Sequence, residues 1–338
     1  MANGKKPVKV LVVGCGRMGR RHVETYLEMG NVQVAVCDVC EKLAKEAASS
    51  FGVDYETEFP RALERFQPDA VDVCTPTKSH YELVMEALRS GANVFCEKPL
   101  AGTYDEVKAI AEEADKRERS VMVGYLYRFH PAIKMLKEMV EEGALGSVHT
   151  AIFRIGGRGG HREWKHELST FGGAVLEMMT HMIDLAIWLF GDAKRVELLY
   201  GGIVLPKREV EGKIVEVTAE DMVFCRMSME SGAEVICEGD QATPSYMHYV
   251  EVLGTSGNVF TSIVDWMPTS VYLKQRWRDF GEGRTVRKFG YVNLLREELN
   301  YFVKCLSEGR KVEINTAWDS VKVAGVVEKL RQQLRSCL

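Results

Sequence analysis

The sequence predicts an α/β protein with a doubly wound parallel sheet at its N-terminal end, followed by an α+β domain with a large open, mostly antiparallel sheet. Three observations carry this expectation. Lys9 to Val13 is a short β-branched run that ends in Gly14-Cys15-Gly16-Arg17-Met18-Gly19, after which Arg20 to Met29 reads as a helix. Continuous apolar runs then alternate with helical patterns as far as about Gly124. From Gly191 to Gly290, strand patterns follow one another with turn signals and no helices between them.

In the first of these, glycines permit the tight turn, the approach of a pyrophosphate to the backbone, and packing of helix on strand. The amides at the helix N-terminus then attract the phosphate charge. A second strand, Val32 to Cys37, ends in Asp38, about 20 residues beyond the turn, where a carboxylate binds the adenosine ribose hydroxyls. The reading is a Rossmann domain that holds NAD through Gly14, Gly16, Arg17, Met18, Gly19 and Asp38. NAD is expected over NADP, because Asp38 would repel a 2′-phosphate and Val39-Cys40-Glu41-Lys42 adds a second acid and no arginine.

The next elements justify the parallel sheet. Ala70 to Cys74 reads as a strand, Lys78 to Ser90 as a helix closed by Gly91, Asn93 to Glu97 as a strand, Tyr104 to Arg117 as a helix, and Val121 to Gly124 as a strand. Uninterrupted apolar strands are what a sheet covered on both faces requires. The antiparallel part rests on Met222 to Met229, the turn at Glu230 to Gly232, Glu234 to Cys237, and Val250 to Leu253 before GTSGN. These strands carry apolar residues on both faces, so association into a homodimer or homotetramer is expected. Asn293 to Ser307 and Trp318 to Leu334 are amphipathic helices. The expected domains are 1–124 for the dinucleotide and 125–338 for substrate binding and oligomerisation, with the closing helices able to pack back on the first.

Composition narrows the function. A chain of 338 residues with 46% apolar content exceeds one ordinary core. A net charge of −4, from 48 acidic and 44 basic residues, leaves no nucleic-acid footprint. Apolar runs such as Leu185 to Phe190 fall far short of the ~18 residues needed to span a bilayer. Lys5, Lys6 and Lys9 precede an apolar stretch too short for a secretion signal, so a cytoplasmic location is expected. Nine scattered cysteines suit reduced thiols; Cys37 and Cys40 form a CxxC without a second pair or a nearby His pair, and His161 and His166 are not spaced for one helical turn. No metal is expected.

The strongest chemical signal is FGGAVLEMMTHMIDLAIWLFG, from Phe171 to Gly191. As a helix it places Glu177, Thr180, His181 and Asp184 on one stripe of an otherwise apolar, buried surface. Buried carboxyl and imidazole groups need partners, so the stripe faces either a satisfied internal network or a cavity that a polar ligand enters. Lys98 lies just past the strand Asn93 to Glu97, where open parallel sheets bind ligands. It is either a solvated loop lysine or a group that steadies charge on a reacting oxygen.

GCGRMGRRH, CTPTKSH at Cys74 to His80, EKPLA at Glu97 to Ala101, RFHPA at Arg128 to Ala132, GGAVLEMMTHMIDLAIWLFG at Gly172 to Gly191 and LREELNYFVKCLSEGRKV together resemble the glucose-fructose oxidoreductase, inositol dehydrogenase and MocA family. The resemblance spans essentially the whole chain. It implies that Lys98 is catalytic and that Glu177 and His181 bind substrate and move the proton; many members carry Asp where this chain has Glu177. It extends the cofactor contacts to Thr75, Pro76, His80, Glu97 and Lys98, places Tyr125 near the nicotinamide, and makes Arg128 a substrate contact. It also implies a cis Lys98–Pro99 peptide. The implied chemistry is reversible oxidation of a ring hydroxyl of a sugar or cyclitol, with hydride passing to the nicotinamide. The proton leaves through His181, a residue type whose ordinary pKa is near neutrality.

The segment from Gly156 to Thr170 should overhang the substrate. Trp164 could stack on a sugar face. Arg158, Arg162, Lys165 and two histidines against Glu163 and Glu167 would suit a phosphate, nucleotide or uronate group, or are the solvated charges of an exposed loop. Two other classes stand beside the dehydrogenase. A cofactor-binding regulator has no chemical need for Lys98 and His181 together, whereas an NAD-dependent glycosidase keeps both.

Overall fold

A computed structural model of the chain describes residues 6–157 and 162–335. Arg158 and His161, two of the charges expected over the substrate, lie outside the described residues. The fold divides into two units, residues 1–126 with 293–321, and 127–292 with 322–338.

In the first unit, β1 (Val8–Val13), α1 (Arg17–Glu28), β2 (Val32–Cys37), α2 (Glu41–Phe51), β3 (Asp54–Glu56), α3 (Phe59–Phe66), β4 (Ala70–Val73), α4 (His80–Arg89), β5 (Asn93–Cys96), α5 (Tyr104–Lys116) and β6 (Val121–Val123) follow in order. The strands form one sheet in the order β3-β2-β1-β4-β5-β6, all parallel. That order reverses beside β1, which places a ligand crevice at the carboxyl ends of the strands. β4, β5 and β6 are almost wholly buried, as expected for strands covered on both faces. α5 is opened by a capping box, in which Thr103 Oγ1 accepts from the Glu106 amide and the Glu106 carboxylate accepts from the Thr103 amide.

The second unit contains α6 (Pro131–Glu141), β7 (Val148–Gly156), α7 (Thr180–Phe190), β8 (Ala193–Gly202), the hairpin β9 (Lys207–Val210) and β10 (Lys213–Glu216), β11 (Met222–Met229), β12 (Glu234–Asp240), β13 (Met247–Gly254), β14 (Gly257–Thr261), β15 (Thr269–Leu273) and β16 (Gly283–Arg287). α8 (Leu294–Ser307), capped by the Asn293 side chain, belongs to the first unit. α9 (Ala317–Leu334) begins in the first unit and ends in the second.

Eight of these strands form a sheet in the order β16-β15-β14-β13-β7-β12-β11-β8. Every pairing is antiparallel except β12 with β7, so "mostly antiparallel" describes it. Register brings Val250, Phe153, Cys237 and Cys225 into one fully buried row. Phe190 of α7 meets Phe153 edge-on at 6.3 Å. Each large side chain buried in this way contributes about 1.5–3 kcal/mol. The opposite face, with Ile152, Ile236, Tyr249 and Phe260, is half-buried, and Tyr249 stacks on Phe260 at 5.5 Å.

The eight cysteines among the described residues are free thiols. No helix among the described residues is long and apolar enough to cross a membrane.

Candidate active site

The first unit builds a dinucleotide cradle. Gly14 sits at φ +96, and a Cβ there would lie 2.8 Å from the Cys74 carbonyl oxygen; at Gly19 it would meet the Gly14 carbonyl at 1.8 Å. Both positions need glycine. Nothing crowds Gly16, which precedes an α1 N-terminus with no side-chain cap and no acid in its first turn. Those amides are available to an anion, so the residues fit a pyrophosphate. Arg17 is exposed and Met18 half-buried beside them.

Asp38 ends β2, and backbone amides fix its carboxylate. Oδ2 accepts from Cys15 N at 2.7 Å and Oδ1 from Cys40 N at 2.8 Å. Each oxygen keeps a further lone pair for a ribose hydroxyl.

Thr75 and Pro76 follow β4, and Glu97 and Lys98 follow β5, so both loops stand at carboxyl ends of adjacent strands. The Lys98–Pro99 peptide is cis. The Lys98 amide donates to Glu97 Oε2 at 3.3 Å. His80, expected at the cofactor, is 1% exposed, with Nδ1 2.8 Å from the Pro99 carbonyl oxygen and Nε2 2.8 Å from that of Thr75. It ties the two loops together.

Tyr125, expected near the nicotinamide, is 2% exposed; its hydroxyl accepts from Ser320 at 3.0 Å and its carbonyl accepts from Asn315.

In the second unit the polar stripe resolves residue by residue. The helix does not start at Phe171, whose φ is +62; it starts with a π-helical turn, Val175–Met179, that leads into α7. The wider turn changes the phase between Glu177 and His181 from that of a continuous α-helix. Thr180 Oγ1 donates to the Leu176 carbonyl at 3.0 Å. Glu177, 7% exposed, forms an ion pair with Lys165, which also lies over the Trp164 ring at 5.1 Å. Asp184 takes Arg128 in a two-point pair. Arg128, expected as a substrate contact, is 3% exposed in this pair, and its guanidinium also covers Trp188 at 5.5 Å.

His181 lies against the Tyr127 ring, centroid to centroid at 4.4 Å, and the Tyr127 hydroxyl is 2.6 Å from that of Tyr246. Burial pushes the Tyr127 phenol up to about 12, against the opposing hydrogen bond from Tyr246, so it stays protonated. His248 packs edge-on against the Tyr127 ring at 5.1 Å. Burial, then the nearby His130, pushes His248 down to about 3. Sequence reasoning missed Tyr127 and Tyr246. Tyr127 adjoins Arg128 in YRFHPA, a signal within reach, whereas Tyr246 stands in a turn with none. Trp164 is half-buried in a short 3₁₀ turn, Glu163–His166.

Comparison with known proteins follows the same division. Residues 8–125 match the family model described as "Oxidoreductase family, NAD-binding Rossmann fold", and residues 133–260 match "GFO/IDH/MocA C-terminal domain". The chain is 32% identical over 307 residues to myo-inositol 2-dehydrogenase of Thermotoga maritima, covering 89% of each chain. It is 28% identical over 291 residues to levoglucosan dehydrogenase of Pseudarthrobacter phenanthrenivorans, covering 75% of this chain and 73% of that one. Among solved structures, a levoglucosan dehydrogenase in complex with NADH and L-sorbose superposes with a TM-score of 0.87 at 22% identity over 97% of each chain, a likeness of fold.

Proposed function

The chain belongs to the GFO/IDH/MocA family of NAD-binding oxidoreductases, and we propose that it transfers a hydride between NAD and a ring hydroxyl or ketone of a sugar, sugar derivative or cyclitol. The observation that carries this reading is the coexistence of the glycine cradle and fixed Asp38 carboxylate with Lys98 directly after β5 and His181 at the start of α7. NAD, when bound, supplies the hydride acceptor. Lys98 polarises the reacting oxygen, and His181 takes its proton as general base. Glu177, held by Lys165, orients the substrate hydroxyls. Tyr127 fixes the imidazole plane of His181.

An uncharged polyol is the favoured substrate. Of the cations in the Gly156-to-Thr170 segment, Lys165 is paired with Glu177 and Arg162 with Glu211. Relatives that act on inositol and levoglucosan support the same class. We assign the protein to the cytoplasm without a nucleic-acid partner, as a homodimer or homotetramer joined through the half-buried sheet face.

A panel of cyclitols, sugars, uronates and nucleotide sugars, with NADH absorbance and product identity followed together, tests the assignment. A ketone product with stoichiometric NADH supports it. Bond cleavage without net NADH would make the protein a glycosidase, and cofactor binding without turnover on any of the panel would make it a regulator.

A further inference from the structure

Beneath the Lys98 loop lies a set of buried ionisable groups, all in the first unit, that the reaction above does not use. His22 of α1 is fully buried, with Nδ1 2.8 Å from Asp72 Oδ2 and Nε2 3.2 Å from Glu97 Oε1. Both ring nitrogens thus meet carboxylate oxygens, and a neutral imidazole has only one N–H to offer. Cys74 Sγ stands 3.3 Å from both His22 Nδ1 and Asp72 Oδ1. Glu298 of α8 is fully buried, and neither of its oxygens has a hydrogen-bond partner among the described residues. Tyr26 of α1 is fully buried against the same groups.

The charges explain one another. Burial pushes the His22 pKa down, but the charge of Asp72, then Cys74 and the hydrogen bonds, raise it well above its ordinary value. For Glu97, burial acts upward and is outweighed by the hydrogen bond and charge of His22, then by Lys98, leaving its carboxyl below the ordinary value. Burial, reinforced by Glu97 and Asp72 against the opposing His22, raises Glu298 well above the carboxylate range. The two-sided contact of His22 with Asp72 and Glu97 suits an imidazolium, and burial of the unpartnered Glu298 carboxyl favours its neutral form. Three ionised carboxyls around one buried cation would be costly.

We propose that His22 is a positioning residue for Lys98. As an imidazolium clamped between Asp72 and Glu97, it fixes the Glu97 carboxylate that in turn receives the Lys98 amide, and Glu298 serves as the neutral acid that keeps this charge balance. The catalytic meaning of Lys98 rests on the dehydrogenase reading; the clamp itself does not. His22, Asp72 and Cys74 present atoms within 4.8 Å of one another, a spacing that a metal ion could also bridge. The same atoms already account for one another as a hydrogen-bond network.

The test uses the full chain and no substrate. In protein labelled at histidine, NMR of the His22 ring reports its protonation, and peptide mass spectrometry after brief acylation reports Lys98 reactivity against exposed Lys42. The expected results are a His22 imidazolium that persists well above pH 6.5 and, in His22→Gln, a several-fold change in Lys98 acylation with Lys42 unchanged. Glu298→Gln, which imitates the neutral acid, should leave Lys98 at its wild-type reactivity at neutral pH. A neutral His22 ring at pH 6.5, a folded His22→Gln with wild-type Lys98 reactivity, or stoichiometric zinc retained through dialysis would each overturn the proposal. If His22→Gln does not fold, the wild-type ring titration and Glu298→Gln decide alone.

Discussion

Arg128 and Asp184, 56 residues apart in sequence, face each other as a buried two-point ion pair, with Nε–Oδ2 at 3.0 Å and Nη2–Oδ1 at 2.5 Å. Removing one partner strands the other charge without water, a loss of about 3–5 kcal/mol. Arg128→Ala should therefore lower unfolding stability by that order in a urea titration. Stability unchanged from wild type would return Arg128 to the role of a ligand contact.

Lys165 and Glu177 should act as a unit. In a double-mutant cycle on kcat/KM, Lys165→Gln should have a clear effect in the wild-type background and little in Glu177→Gln, with a coupling of about 0.5–3 kcal/mol. Additive effects would mean that Lys165 contacts the substrate itself.

Acid pH should destabilise the second unit. Burial pushes His130 down to about 4 and, with His130 beside it, His248 down to about 3, from an ordinary value of 6.5. An unfolded chain binds these protons and the folded one does not, so their contribution is complete above about pH 6.5 and is lost as pH falls towards about 4 and then about 3. The melting temperature should fall across that window, less steeply in His248→Gln than in wild type.

Asp38 should set cofactor choice. Asp38→Ser removes a carboxylate that would oppose a 2′-phosphate, so NAD binding should weaken and the gap to NADP narrow in direct titrations. Equal or tighter NADP binding by the wild type would mean that Asp38 does not meet the ribose.

Much of this architecture was legible because local signals and fold agree. Glycines forced by contacts under 3 Å mark the first turn, and Val32–Cys37 and Met222–Met229 form strands with the bounds their patterns imply. β3 escaped notice because only three residues pair with β2, and α2 and α3 flank it with no motif. The π-turn was hidden because an extra residue in a turn leaves an apolar sequence pattern intact. Stripe partners were illegible for another reason: Arg128 and Lys165 reach Asp184 and Glu177 through tertiary structure, and nothing in the spacing of the stripe announces which cation arrives. For His80 and Tyr125 the motif indicates a neighbourhood, whereas the burial and hydrogen bonds of each side chain arise only from the tertiary structure.

Association is expected through the sheet face that carries the half-buried Ile152, Ile236, Tyr249 and Phe260. Light scattering at micromolar concentration should give a dimer or tetramer mass, and a monomer would leave that face unexplained.

The most direct measurement of the central claim is turnover by Lys98→Ala and His181→Ala on the substrate that the panel identifies, with NAD affinity measured alongside. Each variant should lose about 10²- to 10⁴-fold in kcat, the usual worth of a proton-transfer group, and His181→Ala should bind NAD as the wild type does. Wild-type rates in both variants would contradict the assignment of Lys98 and His181 as the residues that carry the chemistry.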